Sequence, residues 1–223
     1  PLTFGTMVGR NVGEYFDAFR RTPMNDWHIE NKAEFENVGQ WKRAWYYPKN
    51  NETMHDAVQR ESKAARDSAG ILDASTLGKI DIQGTDASEF LNRVYTNAWS
   101  KLAIGKCRYG LMLNEDGMVY DDGVTTRLDE NHYIMTTTTG GAANVLSKLE
   151  DYLQTEWPEL DVYLSSVTDH YATASVCGPN SKKILNKIIP DLDLSDENFP
   201  HMSFKNAKID NIKCRVMRIS FTG

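Results

Sequence analysis

Two adjacent carboxylates, Asp121 and Asp122, stand in a segment that otherwise favours β-strand, and Gly123 follows them directly. Aspartate and glycine are poor strand residues, so keeping all three breaks a local preference, which is typical of functional or strained positions. A positioned carboxylate can accept a proton and offset a developing positive charge. Because successive strand side chains alternate, we expect one carboxylate to point inward and the other to be solvated. Gly123 leaves room for a ligand or another backbone. A plain surface bulge or turn is the alternative interpretation.

The carboxylates belong to a predicted β-hairpin. Strand-like runs at 108–113 and 118–127 are joined by Asn114, Glu115, Asp116 and Gly117. A short connector that contains glycine between two such runs is a hairpin signal. The hairpin would hold residues 109 and 122 across from each other on neighbouring strands.

The elements that must position this hairpin are interspersed helices and strands. Asp86 and Glu89 predict a capping box, and Thr138 or Thr139 is expected to cap a later helix. The mixed order predicts an α+β fold with antiparallel sheets rather than a doubly wound parallel sheet. Apolar periodicity predicts helices at 54–68, 87–94, 142–153 and 181–189, strands at 79–84, 132–138, 162–168 and 171–178, and a final hairpin at 207–221.

The first 53 residues differ from the rest in the spacing of their apolar and aromatic residues. Apolar periodicity is poor there, while Trp27, Trp41 and Trp45 are concentrated in the segment. A short helix is predicted at 11–20, and the remainder is expected to be an extended, aromatic-rich arm that docks on a domain surface or a partner. The predicted domains are therefore this arm, 1–53, and a folded domain, 54–223.

Composition narrows the classes of function. The 223 residues carry a net charge of −6, which argues against a nucleic-acid partner because clustered Lys and Arg are needed there. No apolar run is long enough to span a bilayer, and a cytoplasmic location is expected. Cys107, Cys177 and Cys214 are predicted to be buried thiols, and the histidine spacing indicates no metal site. The chain is expected to be a piece of a longer polypeptide.

Four segments of the chain stand out when they are taken in order: DASTLGKI at 73–80, GTDA at 84–87, YGLMLNEDGMVYDD at 109–122 and RISFTG at 218–223. Together they resemble the folate-binding fold of the glycine-cleavage aminomethyltransferases. The resemblance covers roughly residue 54 onward and implies that fold, with antiparallel or mixed sheets and flanking helices. Two further segments, 39–43 and 95–102, resemble the C-terminal part of the α subunits of bacterial heterotetrameric sarcosine oxidases.

This resemblance implies a reaction. Sarcosine is oxidised at a flavin to an iminium, and tetrahydrofolate takes the one-carbon unit as 5,10-methylenetetrahydrofolate, leaving glycine. The FMN, FAD and NAD sites would belong to other parts of a hetero-oligomer whose remaining subunits are the partners. Two alternatives stay open: a stand-alone glycine-cleavage-type aminomethyltransferase that works with a lipoyl carrier protein, and a non-catalytic scaffold module with the same fold.

The resemblance also implies roles for individual residues. It favours Asp122 over Asp121 as the catalytic carboxylate, and Tyr109 matches a tyrosine that contacts the pterin. The acidic residue that anchors the pterin would fall past Gly223, so the chain is expected to lack the C-terminal portion of the fold. The other predicted folate contacts are Leu77, where the family usually has a Met, Phe221, where it has a Tyr, Asp121, and Arg127, with Lys79 as a second available cation for the glutamyl tail.

Overall fold

The computed structural model describes residues 18–220. Phe221 and most of the helix predicted at 11–20 lie outside the described residues. The chain divides into two compact units, residues 1–62 and residues 63–223. The docking role predicted for residues 1–53 stays a prediction.

The first unit contains a small sheet where the sequence predicts an extended arm. Three strands pair in the order β1-β3-β2, with β1 parallel to β3 and β2 antiparallel to it. Gly39, at φ +59°, makes the turn between β2 and β3, a conformation that glycine adopts without strain. The sequence does not predict these short strands because the apolar periodicity of this segment is weak. The elements are β1 (Arg20–Arg21), α1 (Asn25–Glu30), β2 (Glu34–Val38), β3 (Trp41–Tyr46) and the start of α2 (Met54–Asp67).

The second unit is built on a five-stranded antiparallel sheet in the order β6-β7-β8-β5-β9, with two separate two-stranded sheets, β4–β10 and β11–β12. This arrangement confirms the predicted α+β class. The strands are β4 (Gly70–Asp73), β5 (Gly78–Gln83), β6 (Cys107–Leu113), β7 (Val119–Asp129), β8 (His132–Thr137), β9 (Tyr163–Ser166), β10 (Ala174–Cys177), β11 (Ser203–Ile209) and β12 (Ile212–Arg218). The helices are α3 (Ala87–Val94), α4 (Ala142–Asp151) and α5 (Ser181–Ile188).

One face of the five-stranded sheet carries the main core. Alternate residues of the strands, such as Ile80, Met112 and Met135, are fully or almost fully buried. They belong to the same apolar cluster as Phe90 of α3 and Leu149 of α4, which the 3.6-residue period places on the inner sides of those helices. Each such side chain contributes about 1.5–3 kcal/mol by burial, so helices α3 and α4 fix this face of the sheet.

Two local predictions are wrong. The carboxylate of Asp86 does not cap α3 but accepts a hydrogen bond from the backbone N–H of Asp161 at 2.9 Å, while Glu89 pairs with Arg93 one turn later. The three cysteines are not all buried: Cys107 is, but Cys177 is exposed and Cys214 is half-buried. Both errors arise because short motifs do not report which distant segment packs against them.

None of the helices within 18–220 is long and apolar enough to cross a membrane. Within the same residues, His, Cys, Asp and Glu side chains form no group of three or more that could hold a metal ion.

Candidate active site

The predicted hairpin is formed by β6 and β7. Its turn closes through the backbone N–H of Asn114, which donates to the carbonyl of Met118 at 2.8 Å. Gly117 has φ +80°, a conformation that favours glycine. The pairing register shifts between Met112 and Leu113, which absorbs one extra residue of β7 before the carboxylates. Beyond this bulge the two strands pair regularly.

The register places the two carboxylates on opposite faces of the sheet. Asp121 pairs with Met112 and therefore points to the helix-covered face, while Asp122 pairs with Leu111 and points to the other face. Asp121 is only 4% exposed, whereas Asp122 is half-buried. The geometry thus separates a buried carboxylate from one that a ligand can reach.

Asp121 is held by the loop that precedes α4. Its Oδ1 accepts a hydrogen bond from Thr138 Oγ1 at 2.6 Å and its Oδ2 accepts one from the Thr138 backbone N–H at 3.2 Å. Gly141 lies so close that an added Cβ would sit 2.7 Å from Oδ1. Burial raises the pKa of the Asp121 carboxyl, and the two bonds from Thr138 oppose this shift. Asp121 therefore joins β7 to the start of α4.

Asp122 makes a different contact. The hydroxyl of Tyr109 donates a hydrogen bond to its Oδ2 at 2.7 Å. This bond and the charge of Asp122 raise the pKa of Tyr109, whose ring is 38% exposed. In the part of the chain that the structure describes, no other side-chain hydrogen bond to Asp122 forms. One oxygen is thus oriented by Tyr109, and the second is left to accept a proton.

Gly123 makes room for a backbone, which is one of the two predicted uses. A Cβ at this position would lie 1.9 Å from the carbonyl oxygen of Thr136 on β8. Real Cβ atoms do not come so close, so any side chain here would push β7 away from β8. The residues at 121–123 that are poor strand formers are therefore explained by close packing against β8 at Gly123 and by side-chain hydrogen bonds at the two aspartates.

The segment after α3 supports the site, and sequence reasoning missed this role. Tyr95 forms an isolated antiparallel bridge with Met112, and the Thr96 backbone N–H donates to the Leu111 carbonyl at 3.1 Å. The side-chain amide of Asn97 donates to the carbonyl of Tyr109. These bonds cover the outer edge of β6. The only earlier signal was that residues 95–102 carried part of the family resemblance.

Tyr95 also lies near both carboxylates. Its ring is 5% exposed and packs edge-on against Trp99, with ring centroids 5.9 Å apart. Burial raises the pKa of the Tyr95 hydroxyl, and the charges of Asp121 and Asp122 raise it further. A tyrosine whose hydroxyl stays protonated can donate a hydrogen bond but does not act as a general base.

Leu77 lies at the Asp121 end of the sheet. Its neighbour Gly78 pairs with Thr137, so Leu77 falls level with Thr138, which binds Asp121. The hydroxyls of Thr76 and Thr139 are 3.0 Å apart and join the two loops. Leu77 is half-buried. The structure therefore places the backbone of Leu77 level with the residue that binds Asp121, and its role in lining a pocket stays a prediction.

The two cationic side chains predicted to be available, Arg127 and Lys79, both donate hydrogen bonds to backbone carbonyls. Arg127 donates to the carbonyls of Leu102 at 2.8 Å and Glu130 at 2.7 Å, and it lies five residues, or about 16 Å, along β7 from Asp122. Lys79 is buried and donates to carbonyls of its own turn. Neither side chain presents a free cation to the Asp122 face.

The sequence of this chain is similar to those of known proteins. The profile of the GCVT N-terminal domain matches residues 24–223. Sarcosine oxidase subunit alpha from Corynebacterium sp. strain U-96 is 54% identical over 224 residues, which is 100% of this chain and 23% of that protein. An aminomethyltransferase from Thermotoga neapolitana is 29% identical over 204 residues, covering 92% of this chain and 52% of that protein. The chain thus spans about a quarter of the oxidase subunits it matches.

Two solved structures share the fold. The glycine cleavage system aminomethyltransferase T from Bartonella henselae has a TM-score of 0.75 at 23% identity and covers 91% of this chain and 51% of that chain. A chain of the heterotetrameric sarcosine oxidase from Corynebacterium sp. U-96, in complex with pyrrole 2-carboxylate, has a TM-score of 0.53 at 13% identity, covering 89% and 81%. Both matches confirm the fold that was predicted from the order of the four sequence segments along the chain.

Proposed function

The chain belongs to the GCVT N-terminal domain family, and from that premise we propose that it forms the folate-binding part of a sarcosine oxidase α subunit. Identity to such subunits along the whole chain supports this choice. Oxidation of sarcosine, and the FMN, FAD and NAD that it uses, are assigned to other parts of a hetero-oligomeric enzyme. This chain would transfer the resulting one-carbon unit to tetrahydrofolate. A cytoplasmic location stays a prediction from the sequence.

The observation that carries the proposal is the hydrogen bond from Tyr109 to Asp122 on the face of the sheet that the core helices leave open. A half-buried carboxylate with one oriented oxygen is suited to a substrate amine that must lose a proton. Leu77 offers apolar surface at the adjoining edge. These residues fit the pterin end of a reduced folate, while the cation for its glutamyl tail must come from elsewhere than Arg127 or Lys79.

The reaction sets what the protein residues must do. Tetrahydrofolate supplies two amine nitrogens that bond to the methylene carbon of the iminium, the bond from that carbon to the glycine nitrogen breaks, and the two folate protons end on glycine. Asp122 would accept a proton from the folate amine and return it to the departing glycine amine. Its negative charge would also stabilise the cationic one-carbon unit as it approaches. Tyr109 would keep the carboxylate in one orientation.

The test is Asp122→Asn in the complete protein that contains this chain. Asparagine keeps the shape and the Tyr109 contact but cannot accept the proton. We expect methylenetetrahydrofolate formation to fall about 100-fold or more, sarcosine oxidation to continue at the wild-type rate, and formaldehyde to appear instead. Product would be measured by chromatography and oxidation by oxygen uptake.

The matched control is Glu115→Gln, an exposed carboxylate at the turn of the same hairpin. It should leave both rates unchanged. Undiminished methylenetetrahydrofolate formation by Asp122→Asn would remove the catalytic role of Asp122. Failure of the wild-type protein to bind a reduced folate in a titration would remove the proposed function as a whole.

A stand-alone aminomethyltransferase is the second candidate, supported by the relatives of that name, which this chain matches over about half of their length. It would release ammonia and form methylenetetrahydrofolate from an aminomethyl-loaded lipoyl carrier protein in the absence of any flavoprotein. The same chromatographic assay, run with the loaded carrier in place of sarcosine, separates the two candidates.

A further inference from the structure

Lys79 is a buried cation for which the proposed transfer chemistry has no use. It is 3% exposed, in the second position of β5. Its Nζ donates hydrogen bonds to the carbonyl of Ser75 at 3.0 Å and to the carbonyl of Leu77 at 2.8 Å. Burying an ammonium group costs free energy unless it is well hydrogen-bonded, so a buried Lys79 is expected to have a structural role.

The two bonds connect Lys79 to the turn that leads from β4 into β5. Two more hydrogen bonds hold the start of this turn: the Ser75 backbone N–H donates to Asp73 Oδ1 at 2.9 Å, and the Thr173 backbone N–H donates to Ser75 Oγ at 2.9 Å. Lys79 is thus the interior member of a network that gives residues 74–77 a single conformation.

This turn is in direct contact with the loop that holds Asp121. Thr76 and Thr139 share a hydrogen bond of 3.0 Å. A Cβ on Gly78 would lie 2.0 Å from Thr137 Oγ1 and 2.6 Å from Ala142 Cβ, so the strand start fits tightly against β8 and α4. A shift of the turn must therefore displace the loop of residues 138–141, on which the position of Asp121 depends.

From this geometry we propose that Lys79 is a positioning residue for folate binding: its ammonium fixes the turn at 74–77 and, through it, Leu77 and the Asp121 end of the sheet. The inference rests on the proposed function, because Leu77 and Asp122, the neighbour of Asp121, are the surfaces that the folate would contact. Lys79 itself touches no substrate in this scheme. Its effect is transmitted through backbone carbonyls.

The charge of Lys79 gives the inference a pH signature. Burial lowers the pKa of Lys79 to about 8, while the carboxylates of Asp73 and Asp169 act to raise it. Above that pH the neutral amine is a weaker donor than the ammonium, because hydrogen bonds from charged donors are roughly twice as strong. The turn is therefore held less firmly at pH 9 than at pH 7.

The experiment compares wild-type protein with Lys79→Met in the complete protein, using tetrahydrofolate as the probe. We expect the Kd and the KM for tetrahydrofolate to rise about ten-fold in the variant at pH 7, with the rate of sarcosine oxidation unchanged. The wild-type Kd should rise between pH 7 and pH 9, whereas the Kd of the variant should lack that rise. Lys208→Met, on an exposed lysine of β11, is the control and should follow wild type.

A second variant keeps the inference testable if Lys79→Met does not fold. Thr76→Val preserves size and leaves Lys79 in place but removes the hydroxyl contact with Thr139, so it should raise the Kd while keeping the pH dependence. Wild-type affinity in Lys79→Met, or the same pH profile in both proteins, overturns the inference alone. A wild-type protein that binds no tetrahydrofolate overturns the proposed function and this inference with it.

Discussion

At the scale of single residues, the site depends on two neighbouring aspartates with different surroundings. Strand alternation was enough to predict that Asp121 and Asp122 point to opposite faces, and the register confirms it. Which of them is buried could not be derived from alternation, because that depends on where α3 and α4 pack. The loop at Thr138 and the hydroxyl of Tyr109, which distinguish the two carboxylates, come from distant parts of the chain.

Tyr109→Phe isolates the orienting hydrogen bond on Asp122. The ring and its packing remain, while the 2.7 Å bond to Oδ2 is lost. A hydrogen bond of this kind contributes about 1 kcal/mol, so we expect kcat for methylenetetrahydrofolate formation to fall roughly five-fold. Tyr163→Phe, on the far edge strand β9, serves as the control. An unchanged kcat would show that Asp122 does not need Tyr109 for its orientation.

Asp121→Asn tests the buried carboxyl through the pH dependence of stability. Burial places the pKa of the folded state above the unfolded value of 3.8. Between those two pKa values the folded protein binds more protons than the unfolded chain, so wild-type stability falls as pH rises through that window. The asparagine variant does not titrate there. Its free energy of unfolding relative to wild type should therefore improve from pH 3 to pH 7 in urea denaturation, and a constant difference would contradict the assignment.

At the scale of elements, most of the fold follows from periodicity. Helices α2 to α5 and the central hairpin lie within a few residues of their predicted bounds. The short strands of the first unit were not predictable, because strands of two to six residues, with Trp41 buried but Trp45 exposed, show no clear alternation. The capping box at Asp86 failed because Asp161, remote in sequence, takes the carboxylate.

Gly123→Ala tests how tightly β7 and β8 pair. The added Cβ would meet the Thr136 carbonyl at 1.9 Å, so the strands must separate or the backbone must shift. We expect a loss of about 1–3 kcal/mol in the free energy of unfolding, measured by urea denaturation, together with reduced folate binding. Gly140→Ala is the matched control, since nothing lies within 4 Å of its Cβ. Equal stability of the two variants would contradict the close approach.

At the scale of the whole molecule, family and fold were accessible from the order of weak motifs, while the network around the site was not. Neither residues 73–80 nor residues 109–122 form a specific motif when taken alone. Their order along the chain led to the fold that the two solved structures share. Arg127 and Lys79 show the limit of this reasoning, because a sequence does not reveal that a cation is already bonded to backbone carbonyls.

The bulge between Met112 and Leu113 sets the phase of everything that follows it in β7. If the bulge were lost while every residue was kept, and Leu113 still paired with Val119, Asp121 would pair with Leu111 and Asp122 with Gly110. Asp122 would then enter the apolar interior and Asp121 would emerge on the other face. The bulge therefore decides which carboxylate is buried without changing any side chain, and an insertion next to it should be far more damaging to the protein than substitutions at exposed positions of the hairpin.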